Sequence, residues 1–338
     1  MIHRIAIESS DIAFNCDSGQ SVLDAALHAG IELPYSCRKG VCGSCAGSIT
    51  AGEVASVNAD TVRNDTCSSD QVLYCLCAPT SDLVLRPVAW KRLDPSARKT
   101  FAAKVYSNEL AAPDISLLRL RLPAGQRAKF QAGQYLQVLL NDGSKRSYSM
   151  ANPPQESDGV TLHIRHVPGG YFSAQVAQLS PGDTLQIELP FGNVALREDD
   201  FRPIVFVAGG TGFAPVKSIL DDMLKRRIKR NVTLIWGARE PKGLYLLAAI
   251  DRWQKQWPDF RFIGALSDVS SESVGDAYAG RVDQALRSYC PDLSDHVIYC
   301  CGSPPMVAAV RSAANYCGLT PVDFYADVFV PGPVAIAT

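Results

Sequence analysis

Ten residues constrain this chain more than any other stretch. SCRKGVCGSC, positions 36 to 45, sets Cys37, Cys42 and Cys45 around Gly40 and Gly43. Three thiols so close together suit a disulfide framework, a zinc site or an iron–sulfur cluster. Of the 11 cysteines, seven (Cys16, Cys37, Cys42, Cys45, Cys67, Cys75 and Cys77) fall in the first 77 residues. The opening MIHRIAIESSDIAFNC has no signal-peptide layout, because polar residues interrupt any apolar centre, so a cytoplasmic, reducing location is expected. Clustered thiols in such a compartment argue for metal over disulfides.

The spacing separates the two metals. Zinc sites favour paired Cys-x2-Cys knuckles or Cys/His pairs, and here one such pair stands alone. C-x4-C-x2-C followed, after a gap of 29 residues, by Cys75 is the plant-type [2Fe–2S] arrangement. Cys37, Cys42, Cys45 and Cys75 are therefore the expected ligands, and Gly40 and Gly43 let backbone N–H groups approach the sulfurs. Cys77, two residues on, would share a strand face with Cys75. Cys75 is preferred because Leu73-Tyr74-Cys75 resembles the Leu-x-Cys ending of ferredoxin domains. Cys16 and Cys67 read as ordinary buried thiols.

With 338 residues, 47% hydrophobic and 20% charged, the chain has length for two or three globular domains. No apolar run reaches membrane length, and a net charge of −1 points to no nucleic acid. Residues 1–90 hold 5 Lys+Arg against 10 Asp+Glu, leaving 28 against 24 for the remainder. An acidic first module thus precedes a mildly basic body. Residues 3–16 alternate as a β-hairpin, and SVLDAALHAG reads as a helix capped by Ser21 and ended by Gly30. WKRLDPSARK lacks any apolar period and reads as a linker. Short strands with turn signals follow over 100–200, suggesting an antiparallel barrel. From 201 onward PIVFVAGGTGFAPVKSIL, NVTLIWGARE, RFIGALSD and HVIYCCGSPP alternate with helical stretches, the pattern of a parallel α/β sheet. The expected domains are 1–90, a linker 91–99, 100–200 and 201–338.

KRSYSMANPP carries Arg146, Ser147, Tyr148 and Ser149, and LHIRHVPGGYFS carries Gly169, Gly170 and Ser173. With AGGTGFAP and YCCGSPPM, these resemble the ferredoxin–NAD(P) reductase superfamily. The order of modules is similar to the single-chain reductases of bacterial aromatic-ring dioxygenases. The resemblance implies a β-grasp ferredoxin domain, a β-barrel FAD domain and a C-terminal NAD(P) domain. It implies that Arg146 pairs with the FAD pyrophosphate, a geometry that suits guanidinium. Ser147 lies in the same motif, Tyr148 against the ring, and Ser149 near flavin N5 as a catalytic residue. Gly169, Gly170, Tyr171 and Ser173 would hold the pyrophosphate at a helix start, with Ile164, Arg165 and Val167 flanking the flavin.

Gly210, Thr211 and Gly212 follow a buried strand and open a helix, where a dinucleotide phosphate sits. Cys301 and Gly302 match the family's Cys-Gly-x-Pro motif, whose cysteine lies near the nicotinamide C4, so Cys301 is a second catalytic candidate. Ser303 stands where the family often has proline. FYADVF resembles the family's closing Asp-x-Phe, and Phe329 would cover the flavin face. Arg239 and Lys242 can pair with a 2′-phosphate, pointing to NADPH over NADH, while Glu240 opposes it.

The implied activity is electron splitting: NAD(P)H reduces FAD by two electrons, which leave singly through the [2Fe–2S] cluster to a terminal Rieske-type oxygenase. The alternatives are a reductase partner of a deoxysugar-biosynthesis dehydrase or of a monooxygenase, and, from another class, a redox-sensing module. Sensing needs no hydride donor site, so the complete coenzyme motifs weigh against it. His163 and His166 read as structural, and Arg38 and Lys39 could dock an acidic partner.

Overall fold

The computed structural model describes residues 1–57, 70–94, 98–269 and 275–330. The reading of Cys67 and the centre of the linker at 95–97 lie outside the described residues. Two compact units divide the chain at Ala97 and Arg98.

The first unit contains β1 (Ile2–Ile7), β2 (Ala13–Asp17), α1 (Val22–His28), β3 (Ile31–Glu32) and β4 (Ala46–Ala51). It continues with β5 (Val54–Ser56), β6 (Gln71–Leu73), β7 (Cys77–Pro79), β8 (Leu83–Pro87) and β9 (Lys91–Arg92). A five-stranded sheet runs β2-β1-β8-β4-β6, with β1 and β8 parallel. Ile5, Ile7 and Phe14 point from the first hairpin into a core that includes Val22, Leu23 and Ala26 of α1. The helix starts where Ser21 Oγ accepts the Asp24 N–H at 3.1 Å, a cap of about 1 kcal/mol. Part of the stretch read as a linker is paired: β9 lies antiparallel to β3, and the Leu93 N–H donates to Gly30 O at 2.7 Å.

The second unit opens with β10 (Lys99–Ala112), β11 (Ile115–Arg121), β12 (Tyr135–Leu139) and β13 (Lys145–Ser149). Then come β14 (Gly159–Arg165), α2 (Tyr171–Val176) and β15 (Thr184–Phe191). These strands form one antiparallel sheet, ordered β13-β12-β15-β10-β11-β14. The expected closed barrel is not complete. Its two edges meet at a single bridge, Met150 to Leu162, because β13 ends at Ser149 and the chain turns away into Asn152-Pro153-Pro154. Nor are all the strands short: β10 runs 14 residues, bent by irregularities near Val105 and Leu110.

The remaining elements are β16 (Ile204–Gly209), α3 (Phe213–Lys225), β17 (Val232–Ala238), α4 (Leu247–Gln256) and β18 (Phe260–Leu266). After them come β19 (Tyr278–Ala279), α5 (Val282–Tyr289), β20 (Val297–Gly302), α6 (Pro304–Tyr316) and β21 (Phe324–Val328). The sheet is parallel throughout, in the order β19-β18-β17-β16-β20-β21. Unbroken apolar runs such as Ile204–Ala208 are buried on both faces, as helices covering a parallel sheet require. The order reverses beside β16, so the ends of β16 and β20 open a crevice.

Candidate functional site

The thiol loop is shaped by residues that can adopt a left-handed backbone. Gly40 and Gly43 have φ of +75° and +72°, and Arg38, without glycine's freedom, is held at +54°. A Cβ at Gly40 would lie 2.4 Å from Leu76 Cδ1, so the loop packs directly on the turn that carries Cys75. The Tyr74 N–H donates to Cys45 O at 3.1 Å, and the Tyr74 hydroxyl donates to Ser48 O at 2.8 Å, fixing that turn. Arg38 forms an ion pair with Asp24 of α1, while Lys39 is exposed.

The four sulfurs then meet as two pairs. Cys42 donates to Cys37, and Cys45 donates to Cys75. Cys37 is held down to about 6, chiefly by the Cys42 thiol, against burial and with help from the N–H groups of Lys39, Cys42 and Val41. Cys75 is lowered by Cys45 and the Gly40 N–H, against burial. Their partners Cys42 and Cys45 are pushed well up, first by these hydrogen bonds and then by burial. Backbone N–H groups of Lys39 and Cys42 approach Cys37 Sγ at 3.3 and 3.4 Å, and that of Ser44 approaches Cys42 Sγ at 3.4 Å.

Among the described residues no three His, Cys, Asp or Glu side chains are grouped as a site for one metal ion. Two thiol pairs with N–H groups directed at sulfur fit a binuclear cluster with two thiolates per iron. Cys77 is placed differently from the expectation that it shares a face with Cys75. A turn runs through Cys75, whereas Cys77 lies on β7, wholly buried and raised to about 12 by desolvation. Cys16 is a core thiol 1% exposed.

In the second unit, β13 presents the flavin motif. Arg146 Nη1 donates to Ser144 Oγ and Lys145 O, both at 3.1 Å, and forms no ion pair with a carboxylate of the described residues. A guanidinium so held is open to a phosphate. Tyr148 packs against Phe172 at 5.6 Å, and burial lifts its phenol to about 12. Ser147 is exposed. Gly169, with φ +72°, leads into Gly170 at the head of α2, and a Cβ on Gly170 would meet Ser173 Oγ at 2.5 Å. The Ser173 hydroxyl, expected to face a phosphate, instead braces its own turn, accepting the Val167 N–H at 3.1 Å. Tyr171 and Val167 are exposed, and Ile164 is fully buried in the sheet core, which leaves it only backbone to offer a ligand.

Across the crevice, Gly210 to Gly212 form a tight turn between β16 and α3. A Cβ on Gly212 would lie 2.1 Å from Cys301 O, which requires glycine there. Gly210 has φ +53°, and a Cβ on it would lie 2.8 Å from Arg165 Nη2. Arg165 stays in the flavin sheet, paired with Ile115 and ion-paired with Asp114 at 3.4 Å, and its guanidinium also reaches over the glycine turn. Cys301 is 1% exposed and neutral, since burial and then the Asp327 charge push its thiol well up. Gly302 O accepts the Phe329 N–H at 2.8 Å. Arg239 and Lys242 are exposed on the loop after β17.

One carboxylate joins the two motifs. Ser149 Oγ donates to Asp327 Oδ2 at 3.3 Å, and Asp327 pairs with Cys301 in the β20–β21 register. In the sequence Asp327 has one local signal only, its place two residues before Phe329 in FYADVF. Tyr245 meets the buried His163 at 2.9 Å, a contact with no trace in sequence spacing.

Three families match in order: a 2Fe-2S iron-sulfur cluster binding domain over residues 5–80, an oxidoreductase FAD-binding domain over 102–196 and an oxidoreductase NAD-binding domain over 206–312. The chain is 63% identical to a terephthalate 1,2-dioxygenase reductase component of Comamonas sp, covering 98% of this chain and 99% of that protein. It is 36% identical to a CDP-6-deoxy-L-threo-D-glycero-4-hexulose-3-dehydrase reductase of Yersinia pseudotuberculosis, covering 97% and 98%. A crystal structure of an Amycolatopsis cytochrome P450 reductase superposes with a TM-score of 0.76 at 29% identity, covering 97% of this chain and 99% of that one.

Proposed function

This chain belongs to the family of single-chain reductases that join a 2Fe-2S ferredoxin, an FAD module and an NAD module, and from that premise we propose that it carries electrons from NADPH to terephthalate 1,2-dioxygenase. The observation that carries the reading is the meeting of Ser149 and Cys301 at Asp327, which brings a flavin motif and a nicotinamide motif to one point. When bound, FAD would supply hydride acceptance and release of electrons one at a time, and the cluster would supply single-electron transfer.

The protein's own residues bind and orient. Cys37, Cys42, Cys45 and Cys75 hold the iron. Arg146 takes the FAD pyrophosphate, Tyr148 rests against the ring, and Ser149 donates near the reacting edge. Gly210 to Gly212 cradle the coenzyme phosphates, with Arg165 above them. Cys301, kept neutral, supplies a small apolar wall for the nicotinamide rather than a nucleophile, and Phe329 covers the flavin face. Arg239 and Lys242 pair with the 2′-phosphate. The working modules are residues 1–90, 100–200 and 201–338. A cytoplasmic location accords with ten described cysteines that form no disulfide and with the coenzyme supply there. Among the described residues no helix is long and apolar enough to cross a membrane.

An anaerobic absorbance titration tests the reading. NADPH should bleach the flavin and iron–sulfur bands together, faster than NADH. Arg239→Ala should lower the NADPH preference about 10- to 100-fold, as loss of a charge-assisted contact of roughly 1.5–3 kcal/mol implies. A faster reaction with NADH would remove the role of Arg239 and Lys242. Purified protein that lacked both bands while retaining metal would overturn the electron-transfer reading. Reconstitution with terephthalate oxygenase against a deoxysugar dehydrase separates the two partners.

A further inference from the structure

The contact between His163 and Tyr245 lies where flavin strand and coenzyme loops meet. His163 projects from β14, two residues before Arg165, and is 5% exposed. Its Nδ1 is 2.9 Å from the Tyr245 hydroxyl, with the rings edge-on at 5.5 Å and 80°. Tyr245 ends the loop that carries Arg239 and Lys242. Its ring also stands edge-on to Trp236, at 5.1 Å and 83°. Trp236 stacks on Phe213 at 3.8 Å and donates its indole N–H to Gly210 O at 3.0 Å. One partly buried polar contact therefore ties the flavin strand to the 2′-phosphate loop and, through Trp236, to the phosphate turn.

Packing alone does not require that contact. A phenyl ring would fill the Tyr245 volume, and two apolar groups would avoid the cost of burying an imidazole and a hydroxyl. What a hydrogen bond adds is direction: it fixes the angle of the Tyr245 ring on Trp236. Burial holds the His163 imidazole at about 3, helped by the charge of Lys217, and pushes the Tyr245 phenol far up, so both partners stay neutral.

We propose that the His163–Tyr245 hydrogen bond is a positioning device that sets the coenzyme loop and phosphate turn in register with the flavin strand, and so sets how the nicotinamide end meets the flavin. The proposal rests on the reductase reading above. Neither residue touches the reacting atoms; both act through the segments they hold.

The test is stopped-flow flavin reduction at saturating NADPH, with flavin content and Tm measured on the same samples. Tyr245→Phe should fold with full flavin and cut the reduction rate about 10-fold, within the loss that a small misplacement can produce. His163→Gln, which can still bond the hydroxyl, should keep most of the rate. His163→Phe combined with Tyr245→Phe should be no slower than Tyr245→Phe alone, because the pair acts as a unit. A wild-type rate in Tyr245→Phe overturns the proposal. So does a loss that appears only with lost flavin or lowered Tm, or one that adds fully in the double variant. Wild-type protein that neither coenzyme reduces would instead sink the reductase reading, and this inference with it.

Discussion

The cluster loop and the flavin–nicotinamide crevice are built in opposite ways. In the first unit the chemistry lies in side-chain atoms, with three thiols between Cys37 and Cys45 and a fourth at Cys75. The turn at Gly40 and Gly43 brings them together locally. In the second unit the candidate residues run from Arg146 to Phe329, and much of the site is backbone: the glycine turn, the ends of β16 and β20, the head of α2. A metal site is specified by ligand identity and tolerates little change of element. A dinucleotide crevice is specified by close approach of chain to chain, and many sequences can supply it.

The largest effect expected from that contrast is at the sulfurs. Cys75→Ser should strip the cluster and lower cytochrome c reduction at least about 100-fold, while NADPH still reduces the flavin. Cys77→Ser should retain iron and lose about 1–3 kcal/mol, the cost of an unpaired hydroxyl at a buried site. Iron analysis of the two variants decides the matter, and loss of iron from Cys77→Ser alone would reverse the ligand assignment.

Backbone approach is probed next. Gly212→Ala places a Cβ 2.1 Å from Cys301 O, so turn and strand must part. Flavin reduction should fall about 100-fold with iron and flavin content unchanged, the loss that misplacement of a reactant can bring. Unchanged kinetics would show that the crevice does not depend on this approach. A smaller loss, roughly 10-fold, is expected for Ser149→Ala, which removes the hydroxyl bonded to Asp327; it should appear in the flavin reduction rate rather than in coenzyme KM.

The last effect, absent at neutral pH and growing only in acid, is on stability. His163 titrates near 3 in the folded chain against 6.5 ordinarily, so the unfolded state binds the extra proton. Its contribution is complete above about pH 6.5 and is lost as pH falls toward 3, at up to about 1.4 kcal/mol per pH unit. Denaturant unfolding of the wild type against His163→Phe should show that difference in slope, and parallel pH profiles would mean the imidazole is solvated.

The fold was legible wherever a rule acts through bonded neighbours. Ser21 capping Asp24, the alternation of β1 and β2 and the buried run of β16 are each set within a few residues. Sheet closure was not. It depends on whether the ends of β13 and β14 meet, and the chain turns away after Met150. Cys75 and Cys77 show the limit at a single site: a two-residue spacing gives one face only if the backbone stays extended, and here a turn intervenes.

Sequence alone therefore determined the order of the iron–sulfur, FAD and NAD modules, and it proposes which atoms bind iron, flavin and coenzyme phosphate. Tertiary structure decided which atoms meet. Cys37 pairs with Cys42 and Cys45 with Cys75; Arg165 reaches Gly210; Ser149 reaches Asp327, 178 residues away. Local spacing is inherited from covalent geometry and can be read along the chain. Contacts between strands of different sheets are set by how whole elements pack, and no periodicity records that.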